Sequence, residues 1–382
     1  MIQRPGIATA PGIRALRAHV FRWPVQAPVR TSFGVMHDRP MVLVEVEDEE
    51  GARGWGEVWC NFPAVGAEHR ARLLQSVFAG LLERRDPADP AAIFDDLSAR
   101  TAVLAIQSGE PGPIAQCIAG IDMALWDLAS RRAGEPLWRY LGGHDPAIGV
   151  YASGINPDAP EALAARKSEE GFRAFKVKLG FGAERDFANL RALRRVLGSD
   201  ASLMADANQA WSVAEARALL PRLDEFDLEW MEEPVRADTS LDDWRALAGS
   251  APMPLAAGEN MAGDASFDAA IASRAFGVLQ PDMAKWGGFS GCLRVARRIC
   301  ASGVRFCPHF LGGGVGLLAS AHLLAAIGGD GLLEVDANPN ALRSESCGPL
   351  GAIREGRAVL GGEPGLGIEP SPERLAAVTQ QR

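Results

Sequence analysis

The sequence predicts an α/β fold, a (β/α)8 barrel of the TIM type that carries an α+β capping domain. Three observations predict it: eight short apolar segments after residue 145, a near-constant interval between the residues that end them, and a chemically active residue at the end of every segment from the second to the eighth.

Residues 1–144 read as the cap. The first ~14 residues, rich in Gly, Ala and Pro, are expected to be flexible. Between Arg17 and Trp59, the alternation of Val42, Val44 and Val46 with Leu43, Glu45 and Glu47 predicts strands, and Gly54-Trp55-Gly56-Glu57 reads as a turn into the next one. From Ala67 to Leu141, apolar residues at helical spacing such as Ile118, Ile121, Leu125 and Leu128 predict helices. Strands followed by helices make an α+β unit.

Residues 145–344 read as the barrel, with strands at 149–153, 175–179, 203–208, 228–233, 255–260, 277–282, 304–309 and 332–336. Lys178, Asp206, Glu232, Glu259, Asp282, His309 and Glu334 follow one another at intervals of 23 to 28 residues, enough for one strand, one helix and two short loops. An open doubly wound sheet would gather its chemistry at one switch point instead. No Gly-x-Gly-x-x-Gly follows a strand, and Gly312 to Gly314 read as a mobile loop rather than a phosphate cradle. Residues 345–382 are expected to return to the cap.

Composition narrows the function classes. A formal charge of −9 over 382 residues suits neither a nucleic-acid backbone nor an anionic membrane. Hydrophobic residues at 47% with charged residues at 23% indicate folding throughout. Neither a secretory signal nor an apolar run of membrane-spanning length is visible, so a cytoplasmic protein is expected. The six cysteines show no metal-finger or paired spacing and read as reduced, mostly buried thiols.

A barrel gathers the carboxyl ends of its strands on one face. Asp206, Glu232 and Glu259 end three consecutive strands there, and three converging carboxylates repel unless a divalent cation neutralises them. An all-oxygen set suits magnesium, with manganese as a substitute, whereas zinc would want histidine or thiolate. Lys176 and Lys178 lie two apart on one strand and therefore face the same side. Asp282 and His309 end the sixth and seventh strands, as a carboxylate and the imidazole base that it orients. His322, His19, His69 and His144 read as structural or surface residues.

These residues resemble the enolase superfamily, and within it the mandelate racemase subgroup. The matching motifs are Lys176-Val-Lys178, Met204-Ala-Asp206-Ala-Asn208-Gln209, Trp230-Met-Glu232-Glu233-Pro234, Gly258-Glu259-Asn260, Pro281-Asp282-Met-Ala-Lys285-Trp286-Gly-Gly288, Pro308-His309 and Leu333-Glu334-Val-Asp336. Ile121-Asp122-Met-Ala-Leu-Trp-Asp127 resembles the helix leading into that family's barrel. The resemblance implies magnesium-assisted removal of the proton α to a carboxylate, through an enediolate that the ion stabilises. It implies Asp206, Glu232 and Glu259 as metal ligands, Lys176 facing the substrate carboxylate, Lys178 as one base, and His309 with Asp282 as the other. Glu334 would be protonated and donate a hydrogen bond to the enediolate. Glu233, Lys285 and Asp336 would support these groups. Asp282 stands where the muconate-lactonising branch has a lysine, which favours the mandelate racemase subgroup.

With bases on two faces, the same site serves dehydration of an acid sugar to a 2-keto acid or racemisation of a 2-hydroxy acid, and dehydration is favoured. A barrel that merely binds carboxylates would lack a base, and none is missing. Substrate contacts are expected from the cap through Arg30, Thr31, His37 and Asn61, and from the barrel through Asn208 and Trp286. The partners expected are a small-molecule carboxylate and further copies of the same chain, without nucleic acid or membrane.

Overall fold

The computed structural model describes residues 11–30 and 34–380, and of Ala27 and Arg30 the backbone only. The cap is a three-stranded antiparallel sheet, β1 (Ile13–Arg30), β2 (Val35–Asp48) and β3 (Arg53–Val58), in that order. Val42, Val44 and Val46 are fully buried, packed with Ile114, Ile118, Ile121 and Leu125 of the helix Pro111–Arg132. Gly54-Trp55-Gly56-Glu57 lies inside β3 rather than at a turn, which falls at Glu49 to Ala52 instead. The glycines serve helix approach: a Cβ at Gly54 would stand 2.0 Å from the Ala124 carbonyl oxygen, and one at Gly56 2.1 Å from that of Gly120.

The barrel follows as β4 (Ala147–Ile155), β5 (Ala174–Lys178), β6 (Ser202–Asp206), β7 (Leu228–Glu232), β8 (Leu255–Ala257), β9 (Val278–Leu279), β10 (Arg305–Phe306) and β11 (Leu332–Asp336). All pair in parallel in sequence order, and β11 returns to β4. The barrel is nearly closed. Between β10 and β11 the Leu332 N–H donates to Cys307 Sγ at 3.4 Å. The ladders of β8, β9 and β10 end before Glu259, Asp282 and His309, earlier than the sequence predicts. Pro281 and Pro308, which have no N–H to add to a ladder, immediately precede Asp282 and His309. The tail first adds β12 (Arg357–Val359), antiparallel to the start of β4, and then reaches the cap, where Asp127 accepts from the Leu366 N–H at 2.7 Å.

Side-chain alternation positions the chemistry. Tyr151, Ala174, Met204, Trp230, Ala256, Val278 and Cys307 form one buried cluster that plugs the barrel, with Leu332 packed on it. Residues two further along each strand face the same way one layer higher. They are Ser153, Lys176, Asp206, Glu232, Gly258, Gln280, His309 and Glu334, so an apolar floor supports a polar layer at the barrel mouth.

All six cysteines are free thiols, five of them buried and Cys300 exposed. Among the described residues, no helix is long and apolar enough to cross a membrane. The loop read as mobile is held: the Gly313 and Gly316 N–H groups donate to the buried Glu57 carboxylate of β3.

His322 is structural, as expected: Nδ1 accepts from the Trp138 N–H at 2.9 Å, and Nε2 faces the Leu366 carbonyl oxygen at 3.3 Å. Burial pushes its imidazole down to about 3. Below the ordinary histidine value the unfolded chain therefore binds a proton that the folded chain does not. Stability conferred by the neutral ring is present above pH ~6.5 and is lost as pH falls toward 3, by about 1.4 kcal/mol per pH unit. Urea unfolding between pH 7 and 5 should show this slope in the wild type, and His322→Asn should remove it. An unchanged slope in the variant contradicts this reading.

Candidate active site

Lys176 is fully buried, with Nζ 2.6 Å from Glu232 Oε2 and 2.9 Å from Glu334 Oε1. Tyr151 lies below, its hydroxyl at 3.5 Å. Burial opposes the charge on Lys176, but Glu232 and Glu334 outweigh it and hold the ammonium well above the ordinary lysine value. Lys178 Nζ lies 2.6 Å from Asp206 Oδ2, on the neighbouring strand in direct register. Burial and the like charge of Lys176 pull Lys178 toward the neutral amine, while Asp206 keeps it raised.

Asp206 is braced by Asn208, whose backbone N–H and side-chain amide both donate to it, at 2.7 and 3.0 Å. Asn208, Gln209 and Glu233 all adopt positive φ, at 44°, 65° and 35°. Such strain in non-glycine residues persists only where the surroundings fix it, and here it surrounds the carboxylates. Glu232 also accepts from Gln280 Nε2 at 2.7 Å. Glu259 stands one residue outside the alternation, because Gly258 at φ +141° turns the chain there; a Cβ on Gly258 would lie 2.6 Å from the Gln280 nitrogen. Glu259 Oε2 lies 2.5 Å from His309 Nε2, and Lys285 Nζ is 3.6 Å from its other oxygen.

His309 and Asp282 meet as the sequence predicts, with Nδ1 2.7 Å from Asp282 Oδ2. The other Asp282 oxygen accepts from the Ala284 and Lys285 N–H groups at 2.8 and 3.1 Å, which fixes the carboxylate. Burial opposes protonation of His309, yet Glu259, Glu334 and Asp282 hold the imidazolium well above the ordinary histidine value. Glu334 accepts from the Ser153 hydroxyl, from Lys176 and from the Phe310 N–H. Burial would raise its carboxyl, but Lys176 and His309 bring it down to about 2. Glu334 accepts from these neighbours and links Lys176 to His309, whereas the resemblance implies a protonated donor there.

Asp206, Glu232 and Glu259 fit a hard divalent cation by the chemistry of the donor set. The set is all oxygen, buried and crowded with like charge: Glu232 is pushed up to about 7 by burial, with Asp206, Glu334 and Glu259 adding against Lys176. Burial and Glu259 push the adjacent Glu233 up to about 8, and it accepts from the Asn260 amide at 3.0 Å. Among the described residues, no three acidic, histidine or cysteine side chains close into a finished metal cage. Each of the three carboxylates is turned instead onto a cationic neighbour, Lys178, Lys176 or His309.

Several expected residues sit elsewhere. The Trp286 ring packs 5.9 Å from Phe267 and lines a cleft with Phe94, Thr101 and Ile118 of the cap, outside the barrel mouth. Its neighbour Lys285 points inward, 3.1 Å from Asn260 Oδ1 and 5.0 Å from the Trp59 ring. Asp336 does not brace the catalytic groups; it forms ion pairs with Arg39 of β2 and Arg343, and so ties cap to barrel. Asn61 donates to the Leu311 carbonyl at 2.7 Å, its amide nitrogen committed to a barrel loop. His37 is exposed on β2. Thr31 and the Arg30 side chain lie outside the described residues. Ser153 and Gln280 escaped the sequence reading, and Asn260 appeared there only as part of a motif; the first two are legible as the residues two positions beyond Tyr151 and Val278 of the barrel floor.

Residues 159–374 match the family described as Enolase C-terminal domain-like, and residues 14–142 match the Mandelate racemase / muconate lactonizing enzyme N-terminal domain. The chain belongs to the mandelate racemase/muconate lactonizing enzyme family of the enolase superfamily. A member of this family from Bordetella bronchiseptica has a crystal structure 58% identical to this chain, covering 97% of it and 99% of that protein, with a TM-score of 0.92. A D-galactarolactone cycloisomerase from Agrobacterium fabrum is 32% identical, over 95% of this chain and 97% of its own length. A racemase from Streptomyces coelicolor, solved with bound magnesium, is 28% identical, covering 96% of this chain and 99% of that one at a TM-score of 0.84. Other family relatives, at 28% to 32% identity, are a 3,6-anhydro-α-L-galactonate cycloisomerase, an arabinonate dehydratase and an N-succinylamino acid racemase. The chain is accordingly an enzyme of this family.

Proposed function

We propose that this enzyme removes the proton α to the carboxylate of a sugar acid and expels the oxygen on the β carbon, yielding a 2-keto acid by dehydration. The observation that carries the reading is the His309 and Asp282 pair, fixed at 2.7 Å beside a buried carboxylate and lysine cluster. Asp206, Glu232 and Glu259 would hold magnesium, as their oxygen donors fit and as one structural neighbour is described with that ion. Bound there, the cation supplies positive charge that makes the α proton more acidic.

The chain's own groups do the rest. Lys176, charged and immobile between Glu232 and Glu334, faces the substrate carboxylate. Lys178 is the base on one side. Once Asp206 serves a ligand role, burial and Lys176 leave its amine readier to accept a proton. His309, with Asp282 and Glu334 beside it, delivers its proton to the departing β-oxygen. Asp282 keeps a proton on Nδ1, so that Nε2 faces the substrate.

A second reading is favoured by the two cycloisomerases among the relatives. If the departing oxygen belongs to a ring, the same proton transfers open the ring instead of releasing water. A screen of the magnesium-loaded enzyme against D-galactonate, arabinonate, galactarate, D-galactarolactone and 3,6-anhydro-α-L-galactonate tests both. A 2-keto acid formed with loss of water supports dehydration, and one formed at constant mass supports ring opening. Inversion at the α carbon with the β-oxygen retained would overturn both in favour of racemisation.

A further inference from the structure

The two loops that carry Asp282 and His309 are both gripped by the cap, and the gripping groups are buried carboxylates. Glu57, on β3, accepts from the Gly313 and Gly316 N–H groups at the start of the helix Gly314–Ile327. That helix begins five residues after His309. Asp122, on the helix Pro111–Arg132, accepts from the Ser290 N–H at 3.0 Å and from the Ser290 hydroxyl, at the start of the helix Gly288–Ala301. That helix begins six residues after Asp282. Helix N-termini attract anions through their free N–H groups and dipole, and here the cap supplies both anions.

Lighter contacts follow the same pattern. The Asn61 amide holds the Leu311 carbonyl in the first loop at 2.7 Å, and the Trp59 N–H meets the Ala284 carbonyl in the second at 3.4 Å. Trp126 Nε1 donates to the Ser290 hydroxyl at 2.9 Å. By contrast, Lys176, Lys178, Asp206 and Glu232 lie within strand ladders and are positioned by the barrel itself. The ladders of β9 and β10 both stop three residues short of Asp282 and His309, beyond which the His309 N–H meets the Pro281 carbonyl at 3.3 Å.

Burial of these two carboxylates is costly. It pushes Glu57 up to about 7 against its backbone donors, and Asp122 up to about 7 against those of Ser290 and Phe289. Both carboxylates are occupied by these loop donors, and the charge of Asp282 adds to the rise of Glu57.

We infer that Glu57 and Asp122 are positioning residues, through which the cap sets the separation and angle of the His309 and Asp282 side chains. The cap is then part of the acid–base apparatus as well as a cover over it. This rests on the reading of His309 and Asp282 as the acid–base pair, but its test reads imidazole geometry directly and needs no turnover.

The full-length protein labelled with 15N-histidine is the sample. Its six histidines give a short spectrum, and His309→Asn identifies the His309 Nδ1–H signal held by Asp282. His322, deep in the barrel wall and bound to Trp138, is the internal control. Glu57→Gln should broaden or abolish the His309 signal while leaving that of His322 in place, and Asp122→Asn should do the same through the other loop. Glu57→Asp, which restores the charge with a shorter reach, should recover part of the signal. If His309 keeps its wild-type signal in both folded variants, the inference is overturned. It is equally overturned if His309 and His322 change together, because that marks general loosening. Should Glu57→Gln fail to fold, Ser290→Ala removes only the hydroxyl held by Asp122 and carries the same expectation in milder form.

Discussion

In His309→Asn, turnover of a substrate found in the screen should fall by roughly 10²–10⁴-fold, the range over which a positioned general acid or base contributes. The loss should appear in kcat rather than in KM. Glu259 loses its imidazole partner, but Lys176 and Lys178 keep theirs in Glu232, Glu334 and Asp206, so binding of the substrate carboxylate persists. The fold should persist too, since asparagine can still meet the Asp282 carboxylate. Lys178 would still take the α proton from its own side, so hydrogen exchange at that carbon should survive where β-oxygen loss does not. Asp282→Asn should follow in milder form, because the imidazole is then less firmly held and less basic. Steady-state kinetics with exchange followed by NMR checks both, and near-wild-type kcat in His309→Asn would assign the acid to another group.

Glu232→Gln should weaken magnesium binding by more than about 100-fold, beyond the 10- to 100-fold typical of groups that merely orient a ligand. The substitution removes one of three charges that would face the ion, and it also releases Lys176 and Gln280, which both bond to the same oxygen of Glu232. Calorimetric titration of metal-stripped protein measures this without any substrate. Activity of the wild type should vanish on chelation and return with magnesium or manganese. An unchanged affinity in the variant would remove Glu232 from the ligand set.

The barrel was legible in the sequence because its repeat is physical. One strand and one helix consume about the same length at every turn, and each strand ends where polar residues become permissible. The same alternation made the Lys176 and Lys178 pair legible and placed Asp206, Glu232, His309 and Glu334 in one layer. What escaped has physical reasons as well. Gly258 breaks the alternation at Glu259, so the ladder of β8 ends sooner than a simple strand would. Trp286 sits in a turn, where neither the period of a strand nor that of a helix says which way a ring points. Glu57 reads as an ordinary strand glutamate, and only the tertiary fold reveals that it meets a helix start some 256 residues away. Asp336 likewise meets Arg39 across the seam between cap and barrel, a pairing that no local spacing encodes. Glu334 meets Lys176 and His309 from two other strands, so no reading of its own segment could name its partners.

Removal of the α proton followed by loss of the β-oxygen can be followed by running the reaction in heavy water with the acid sugar turned over in the screen. The substrate's C2 hydrogen should be lost to solvent and the 2-keto product should carry one solvent deuteron at C3, both visible by NMR. A product whose C3 position holds the substrate's own C2 hydrogen, with no deuterium from solvent, would contradict this course.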